Sequence, residues 1–379
     1  MVKAILAHVG WAVSQFGREP GLCYGILRAV GGVIMVYKNI LRPILFRFNG
    51  ETAHHLAMVG LRTASAIPGC TSLMHRVMAP RRTKTVEVGG VLFENRLGVA
   101  AGWVKDGDAL PAIWGLGFGF AEIGTVTARP WAGNPKPRVQ RMVASEGMIN
   151  RMGLPSKGWR AVRARIESQR RRIPLLINVG KTADPQIHGD EAIADIVETV
   201  NGMAPVADML VLNLSCPNVP DGRDFENNPE MMRGLLDAVM NALARKKKLL
   251  IKLSPDKTPE DLAAIVDVAM SCGVDGFVAT NTTKGREGLT EQEVLMGARG
   301  GLSGRPLRDK AVATVAAVRR QVGKEPIIIG CGGIFTGRDA WQFQDAGADL
   351  FEGFTGFIYE GPFYCRNVLG GLRSESDRY

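Results

Sequence analysis

The sequence predicts an α/β fold, a (β/α)8 TIM barrel with a small helical N-terminal extension. Three observations predict it. Eight short apolar runs alternate with helical segments from Asn95 onward. Many of the 46 glycines sit at the ends of those runs, where strands pass into loops. Residues 1 to about 80 differ in kind, reading as helices without β-branched runs.

Taken in order, residues 1–38 form a basic anchor or targeting segment. The first 50 residues carry six Lys or Arg and one acid, Glu19. The stretch 21–37 is apolar but holds Arg28, and it is short for a span of about 20 apolar residues. An interfacial anchor fits better, and a basic, acid-poor transit peptide is the alternative. Residues 39–84 are expected to be a separate helical domain, with helices at 39–48, 54–67 and 71–78. Residues 85–379 form the barrel domain, opening with a hairpin at 86–93 that turns on Gly89-Gly90.

The eight strand-like runs lie at 95–102, 121–127, 174–180, 208–215, 249–255, 276–283, 326–333 and 349–356. Stretches of helical length separate them, among them 190–203, 229–245, 259–271 and 308–322. A doubly wound sheet is the rival architecture. It would show a glycine fingerprint after its first strand. Gly115-Leu116-Gly117-Phe118-Gly119 follows a helix-like stretch instead and lacks the third glycine in register, so it reads as a turn into the second strand.

The net charge of +10 is dispersed along the chain. Its two clusters, Arg170-Arg171-Arg172 and Arg245-Lys246-Lys247-Lys248, fall where helices should end and complement the helix dipole. Nucleic acid is therefore not an expected partner, and an anionic membrane surface is. The six cysteines (Cys23, Cys70, Cys216, Cys272, Cys331 and Cys365) contain no CxxC pair, so no metal site is expected and the thiols read as isolated and reduced.

In such a barrel, function sits at the C-terminal ends of the strands. Taken singly, a strand-end Asn or Thr is usually a turn residue. Here all eight ends are polar or glycine-rich. The fourth, Asn213-Leu214-Ser215-Cys216-Pro217-Asn218, brackets a thiol with two amides. The fifth carries Lys252, whose charge at a barrel mouth needs an anionic or electron-rich partner. Gly330-Cys331-Gly332-Gly333, Gly353-Phe354-Thr355-Gly356 and Gly301-Leu302-Ser303-Gly304 provide the close backbone approach of a phosphate site. One phosphate, a flat ring and Lys252 together suggest a mononucleotide such as FMN.

These segments resemble the dihydroorotate dehydrogenases, flavin enzymes of pyrimidine synthesis. The resemblance runs from about Asn39 to about Gly361. It rests on Asn95-Arg96-Leu97-Gly98-Val99-Ala100-Ala101-Gly102, Gly124-Thr125-Val126-Thr127, Asn134-Pro135-Lys136-Pro137-Arg138, Asn150-Arg151-Met152-Gly153, the 213–218 segment, Ala279-Thr280-Asn281-Thr282-Thr283 and Gly300-Gly301-Leu302-Ser303-Gly304-Arg305-Pro306.

The resemblance implies oxidation of (S)-dihydroorotate to orotate with FMN, and electron transfer to a quinone. It implies Cys216 as the catalytic base, with Lys105 as the cation that favours its thiolate. It implies Lys105, Asn150, Arg151, Met152, Gly153, Leu154, Asn213, Asn218, Asn281 and Thr282 at the substrate. FMN would contact Ala101, Gly102, Lys105, Thr125, Asn178, Asn213, Lys252, Thr280, Gly304, Gly333, Phe354 and Thr355. His54 and Arg141 match quinone-tunnel positions.

The N-terminal helices resemble the membrane-bound, quinone-using class. Cys216 and Gly153-Leu154-Pro155 resemble the soluble class, Val104 stands where an Asp is usual, and Phe354 where a Tyr is. The expected location is peripheral on a bacterial cytoplasmic or mitochondrial inner membrane. The alternatives are a soluble-type enzyme using fumarate or NAD, a related FMN pyrimidine reductase, and a barrel that keeps FMN without catalysis.

Overall fold

The computed structural model describes residues 36–81, 83–219, 222–244 and 246–376. The expected anchor at 1–38 lies outside these apart from its last three residues. The chain divides into two compact units between Arg47 and Phe48. In the described part of the first, a π-helical turn, Tyr37–Leu41, leads into a helix, Arg42–Arg47.

The second unit contains the barrel. Its strands, numbered β1 to β8, are Leu97–Val99, Phe120–Val126, Leu175–Val179, Met209–Leu212, Lys248–Leu253, Gly276–Ala279, Ile327–Cys331 and Leu350–Gly353. They pair in parallel in chain order, and β8 closes on β1 through Glu352 opposite Gly98 and Gly353 opposite Val99. Each of the eight apolar runs supplies one strand. The helices at Gly189–Met203, Pro229–Leu243, Pro259–Ser271 and Arg308–Val322 occupy the stretches expected of them. Their starts have local causes: Asn228 and Thr258 cap two of them by accepting backbone N–H bonds, each with Pro in the first position.

Two features position the site. First, side chains alternate along each strand. Phe120, Leu176, Val211, Leu250, Val278, Ile329 and Leu350 point inward and pack together, while Ile123, Ile177, Leu212, Ile251, Phe277 and Phe351 pack outward against helices. The hairpin Val86–Val88 with Val91–Phe93 plugs the barrel end opposite the strand C-termini. Phe93 meets Phe120 edge-on with ring centroids 5.4 Å apart. Second, an antiparallel sheet of Val139–Met142, Gly147–Asn150 and Gly301–Gly304 stands over the open end. The Gly301–Gly304 stretch, read from sequence as a phosphate turn, is thus a strand paired with Gly147–Asn150. The pairing spans some 150 residues and leaves no local trace.

Helices α1 (Gly50–Ala66) and α2 (Cys70–Met78) belong to the same unit as the barrel. Asn49 caps α1 by accepting from the Thr52 N–H at 2.8 Å. Met58 of α1 and Met74 of α2 join the core, and His75 stacks on Trp114 with centroids 4.0 Å apart. No helix among the described residues is long and apolar enough to cross a membrane.

Candidate active site

Two residues beyond each inward apolar side chain, the same alternation places a polar one. Phe120 is followed by Glu122, Leu176 by Asn178, Val211 by Asn213, Leu250 by Lys252, Val278 by Thr280, Ile329 by Cys331 and Leu350 by Glu352. All of these but Glu122 line the floor of a cavity of about 940 Å³, at the upper end of the usual range for ligand pockets, about 300–1,000 Å³. Of the expected substrate and cofactor residues, all but Arg151 line it.

The amides of the site are wired together. Asn213 donates to the Thr125 hydroxyl at 2.9 Å, and Thr125 donates to Asn178 Oδ1 at 2.6 Å. Asn178 Nδ2 donates to Glu122 at 2.5 Å. Asn281 Nδ2 reaches Asn213 Oδ1 and Ser215 Oγ, each at 3.1 Å. Across the cavity, Asn218 Nδ2 donates to Asn150 Oδ1 at 3.2 Å. Asn134, which the sequence showed only as part of a motif, holds this side by donating to the Asn218 and Arg151 carbonyls.

Lys252 has found its anionic partner within the protein. Its Nζ lies 2.8 Å from Glu122 and 3.7 Å from Glu352, all three side chains being buried. Sequence reading missed both glutamates. Their signal was available, a carboxylate two residues after an inward apolar residue in an otherwise apolar strand.

Among the described residues that line the cavity, Lys105 Nζ, Asn218 Oδ1 and both Glu352 carboxylate oxygens are fully buried without a hydrogen-bond partner. Burial, reinforced by the Arg138 charge, lowers the Lys105 ammonium to about 8. Cys216 departs from expectation. Its thiol is pushed up to about 11 by burial, which outweighs the Asn218 N–H bond and the Arg223 and Lys105 charges. Lys105 therefore does not hold a thiolate at neutral pH, because its attraction is weaker than the cost of desolvating the sulfur.

Two further positions differ from expectation. Arg151 points out of the cavity and donates to the Pro137 carbonyl at 3.1 Å. Arg141 donates to the Phe48 carbonyl at 2.8 Å and does not line the cavity. Arg138 lines it instead, clamped by Glu51 of α1 at 2.6 Å. His54 does line the cavity. Its Nε2 bonds the Trp103 carbonyl at 2.8 Å, and burial lowers its pKa, so the ring is neutral at pH 7.

At the far side, Gly304, Gly333 and Thr355 line the cavity beside Ser303, whose hydroxyl is 2.8 Å from that of Thr355. Gly304 has φ +94, and a Cβ there would sit 2.4 Å from the Glu146 carbonyl. Gly333 has φ +71, and its Cβ would meet Arg308 and the Gly304 carbonyl. Both positions admit only glycine, which leaves backbone N–H groups open to an anion.

The model of the dihydroorotate dehydrogenase family matches residues 83–375 of the chain. The chain belongs to the dihydroorotate dehydrogenase family. Among its relatives, the dihydroorotate dehydrogenase (quinone) of Thermobifida fusca is 40% identical over 356 residues, covering 91% of this chain and 93% of that protein. The protein of that name from Streptomyces coelicolor is 40% identical over 350 residues, covering 89% and 94%. The ligand-free dihydroorotate dehydrogenase of Eimeria tenella superposes with a TM-score of 0.77 at 31% identity, covering 86% and 94%. The same enzyme in complex with ferulenol gives 0.75 at 32%, covering 86% and 92%. Family membership thus extends to the cavity, the barrel and helices α1 and α2.

Proposed function

We propose that the chain oxidises (S)-dihydroorotate to orotate with bound FMN and passes the electrons to a quinone, a step of pyrimidine biosynthesis. The observation that carries this reading is Lys105 Nζ, buried at the cavity wall with no acceptor. A buried ammonium calls for an anion, and the orotate carboxylate is one. Asn150, Asn213, Asn218 and Asn281 around it supply both donors and acceptors, as a ring with alternating N–H and C=O groups requires.

The residues present also fit FMN. Gly304, Gly333 and Thr355 would hold its phosphate. Ala101, Gly102, Thr125, Asn178, Thr280 and Phe354 would bound the ring, and Lys252 would face its electron-rich edge. FMN supplies the two-electron acceptor when bound.

The side chains do the rest. Lys105 fixes the substrate carboxylate, and the four asparagines fix the ring plane. Met152, Gly153, Leu154 and Thr282 close the cavity around it and exclude water. Cys216 takes the proton from C5 as its thiolate. Because the thiol titrates near 11, the reactive form is scarce at neutral pH and increases with pH.

The acceptor side of the proposal rests on α1 and α2. Leu56, Val59, Ile67 and Leu73 are exposed on and beside these helices, an apolar surface suited to lying against a bilayer. We assign residues 39–84 to quinone access with His54 at the tunnel wall, residues 85–379 to catalysis, and residues 1–38 to anchoring or targeting. This makes the protein peripheral on a bacterial cytoplasmic or mitochondrial inner membrane.

The test is turnover of the purified holoprotein with dihydroorotate and, separately, a short-chain quinone, fumarate or NAD, with the flavin spectrum recorded. Quinone-dependent turnover is expected. Turnover with fumarate or NAD alone would move the protein to the soluble type, and absence of flavin would sink the reading altogether.

A further inference from the structure

Lys252 and Glu352 line the floor of the cavity, and a second carboxylate, Glu122, lies against them without lining it. Lys252 Nζ is 2.8 Å from Glu122 and 3.7 Å from Glu352, and Asn178 Nδ2 gives Glu122 a second bond at 2.5 Å. Glu352 is placed differently. Neither of its oxygens has a hydrogen bond of ordinary geometry, and the Cys331 thiol is a weak donor beside them. Its titratable neighbours are Glu122 on β2, Lys252 on β5 and Cys331, its register partner on β7. On the β1 side it faces Gly98.

An ionised carboxylate with only a weak thiol donor and a shared ammonium at 3.7 Å, buried against another carboxylate, is strongly disfavoured. One proton resolves it. On Glu352, that proton is donated to Glu122 and turns a repulsive contact into a hydrogen bond. Burial and then the Glu122 charge do push Glu352 well above the ordinary carboxyl range, while Lys252 holds Glu122 below it against burial.

We infer that Glu122 is a positioning residue that sets the direction of the hydrogen-bond relay running through Asn178, Thr125, Asn213 and Asn281, with Glu352 as its protonated partner. The argument is one of donor count. A carboxylate can only accept, so Asn178 must turn Nδ2 toward Glu122 and Oδ1 toward Thr125. Thr125 must then give its proton to Asn178, at 2.6 Å, which leaves its lone pair for Asn213 Nδ2 at 2.9 Å. Asn213 is left presenting Oδ1, which takes Asn281 Nδ2 at 3.1 Å, and Asn281 Oδ1 takes the Thr282 N–H at 2.8 Å.

An amide oxygen and nitrogen have nearly the same shape, so packing alone does not choose between the two flips of each asparagine. The charge on Glu122 makes the choice at the Asn178 end of the relay, and the Thr282 N–H holds Asn281 to the same sense at the other. The donor and acceptor pattern shown to the substrate ring is thus written in part from a side chain that does not line the cavity. This rests on the reading that Asn213 and Asn281 face orotate.

The test compares two near-isosteric substitutions in the holoprotein, Glu122→Gln and Glu352→Gln. A glutamine at 122 can donate as well as accept, so the relay loses its bias. Orotate dissociation, followed by calorimetry, is expected to weaken about tenfold, the scale of one net hydrogen bond, with flavin content retained and some loss of stability, since Lys252 loses its nearer carboxylate. A glutamine at 352 mimics the neutral acid and still donates to Glu122, so its orotate affinity stays within about twofold of the unsubstituted protein on the same scale. Weakening by E352Q but not E122Q, or equal weakening by both, overturns the inference.

Two further measurements hold if E122Q fails to fold. Thr125→Val cuts the relay beyond the carboxylates and should weaken orotate binding similarly. The infrared spectrum of the unsubstituted protein, with or without flavin, should contain a neutral-carboxyl band that E352Q lacks, and its absence overturns the inference. If the unsubstituted protein binds no orotate, the functional reading fails instead, and the infrared band still decides which carboxyl carries the proton.

Discussion

The barrel interior contains two layers one strand step apart, and they behave as different materials. Phe120, Leu176, Leu250, Ile329 and Leu350 form a dry plug against the hairpin. Two residues further along the same strands, Glu122, Asn178, Lys252, Cys331 and Glu352 form a charged, hydrogen-bonded floor. Both layers are deeply buried, so burial does not distinguish them. The lower layer is non-directional packing, in which any side chain of suitable volume serves. The upper layer is directional, and each atom needs one particular partner. Stability should therefore reside mainly below, and chemistry above and beyond the floor.

The largest effect that tests this division lies on the chemical side. Cys216→Ala removes the proposed proton acceptor while sparing both layers. Its kcat for dihydroorotate should fall by about 10²–10⁴, the usual range for a general base. Flavin content and orotate affinity should be unchanged. Unaltered turnover would take the base role from Cys216.

Next comes the lower layer. Leu250→Ala opens a cavity in the plug and should cost about 2–5 kcal/mol of stability, measured by denaturant unfolding of the holoprotein. Orotate affinity should not change. A Leu250→Ala variant of full stability but weakened binding would mean that the layers are not separable in this way.

Lys105 offers a smaller effect with a pH signature. Lys105→Met replaces a buried ammonium by an apolar chain of similar length. The KM for dihydroorotate should rise by about 10- to 100-fold, as for loss of a hydrogen bond to a charged group, with little loss of stability, since no buried charge is left unpaired. In the unsubstituted protein, the cation proposed to hold the substrate is lost as pH rises through about 8, so KM should climb above that pH. The thiolate of Cys216 gains over the same interval and up to about 11, so kcat should climb as well. A kcat that falls with pH would contradict a thiolate base.

The two layers were unequally legible in the sequence. The eight strands were visible because parallel strands buried on both faces must be apolar runs. Asn213, Lys252 and Cys216 were visible because they end such runs. Glu122 and Glu352 were equally local but were passed over, since a lone acid inside a strand looks like an exception until the inward register is counted. The clamp between Glu51 and Arg138 was not legible at all. It joins residues 87 positions apart, and neither residue stands out locally. The sheet over the cavity, with its short strands and distant pairing, was hidden for the same reason. Arg151 and Arg141 were placed by resemblance alone, and backbone carbonyls turned both away from the cavity.

The outer wall supplies the smallest and most specific contrast with the two inner layers. Glu51 of α1 accepts from Arg138 Nε at 2.9 Å, from its Nη2 at 2.6 Å and from its backbone N–H at 3.2 Å. It ties the helix to the cavity wall. Although burial opposes it, Arg138 holds the Glu51 carboxyl below its ordinary range. A depressed carboxyl stabilises above its unfolded pKa and ceases to do so as pH falls through the folded value, so this tie should loosen only in acid, below about pH 4.5. At neutral pH, Glu51→Gln should weaken it by about 1 kcal/mol, the pair being partly exposed. The two half-reactions separate the consequence. Anaerobic reduction of the flavin by dihydroorotate, which depends on the inner residues, should proceed at the unsubstituted rate. Reoxidation by quinone, which under the proposed quinone access through residues 39–84 depends on how α1 is seated, should slow severalfold. Equal slowing of both would show that the outer wall and the floor are mechanically coupled, and that α1 shapes the substrate side as well as the acceptor side.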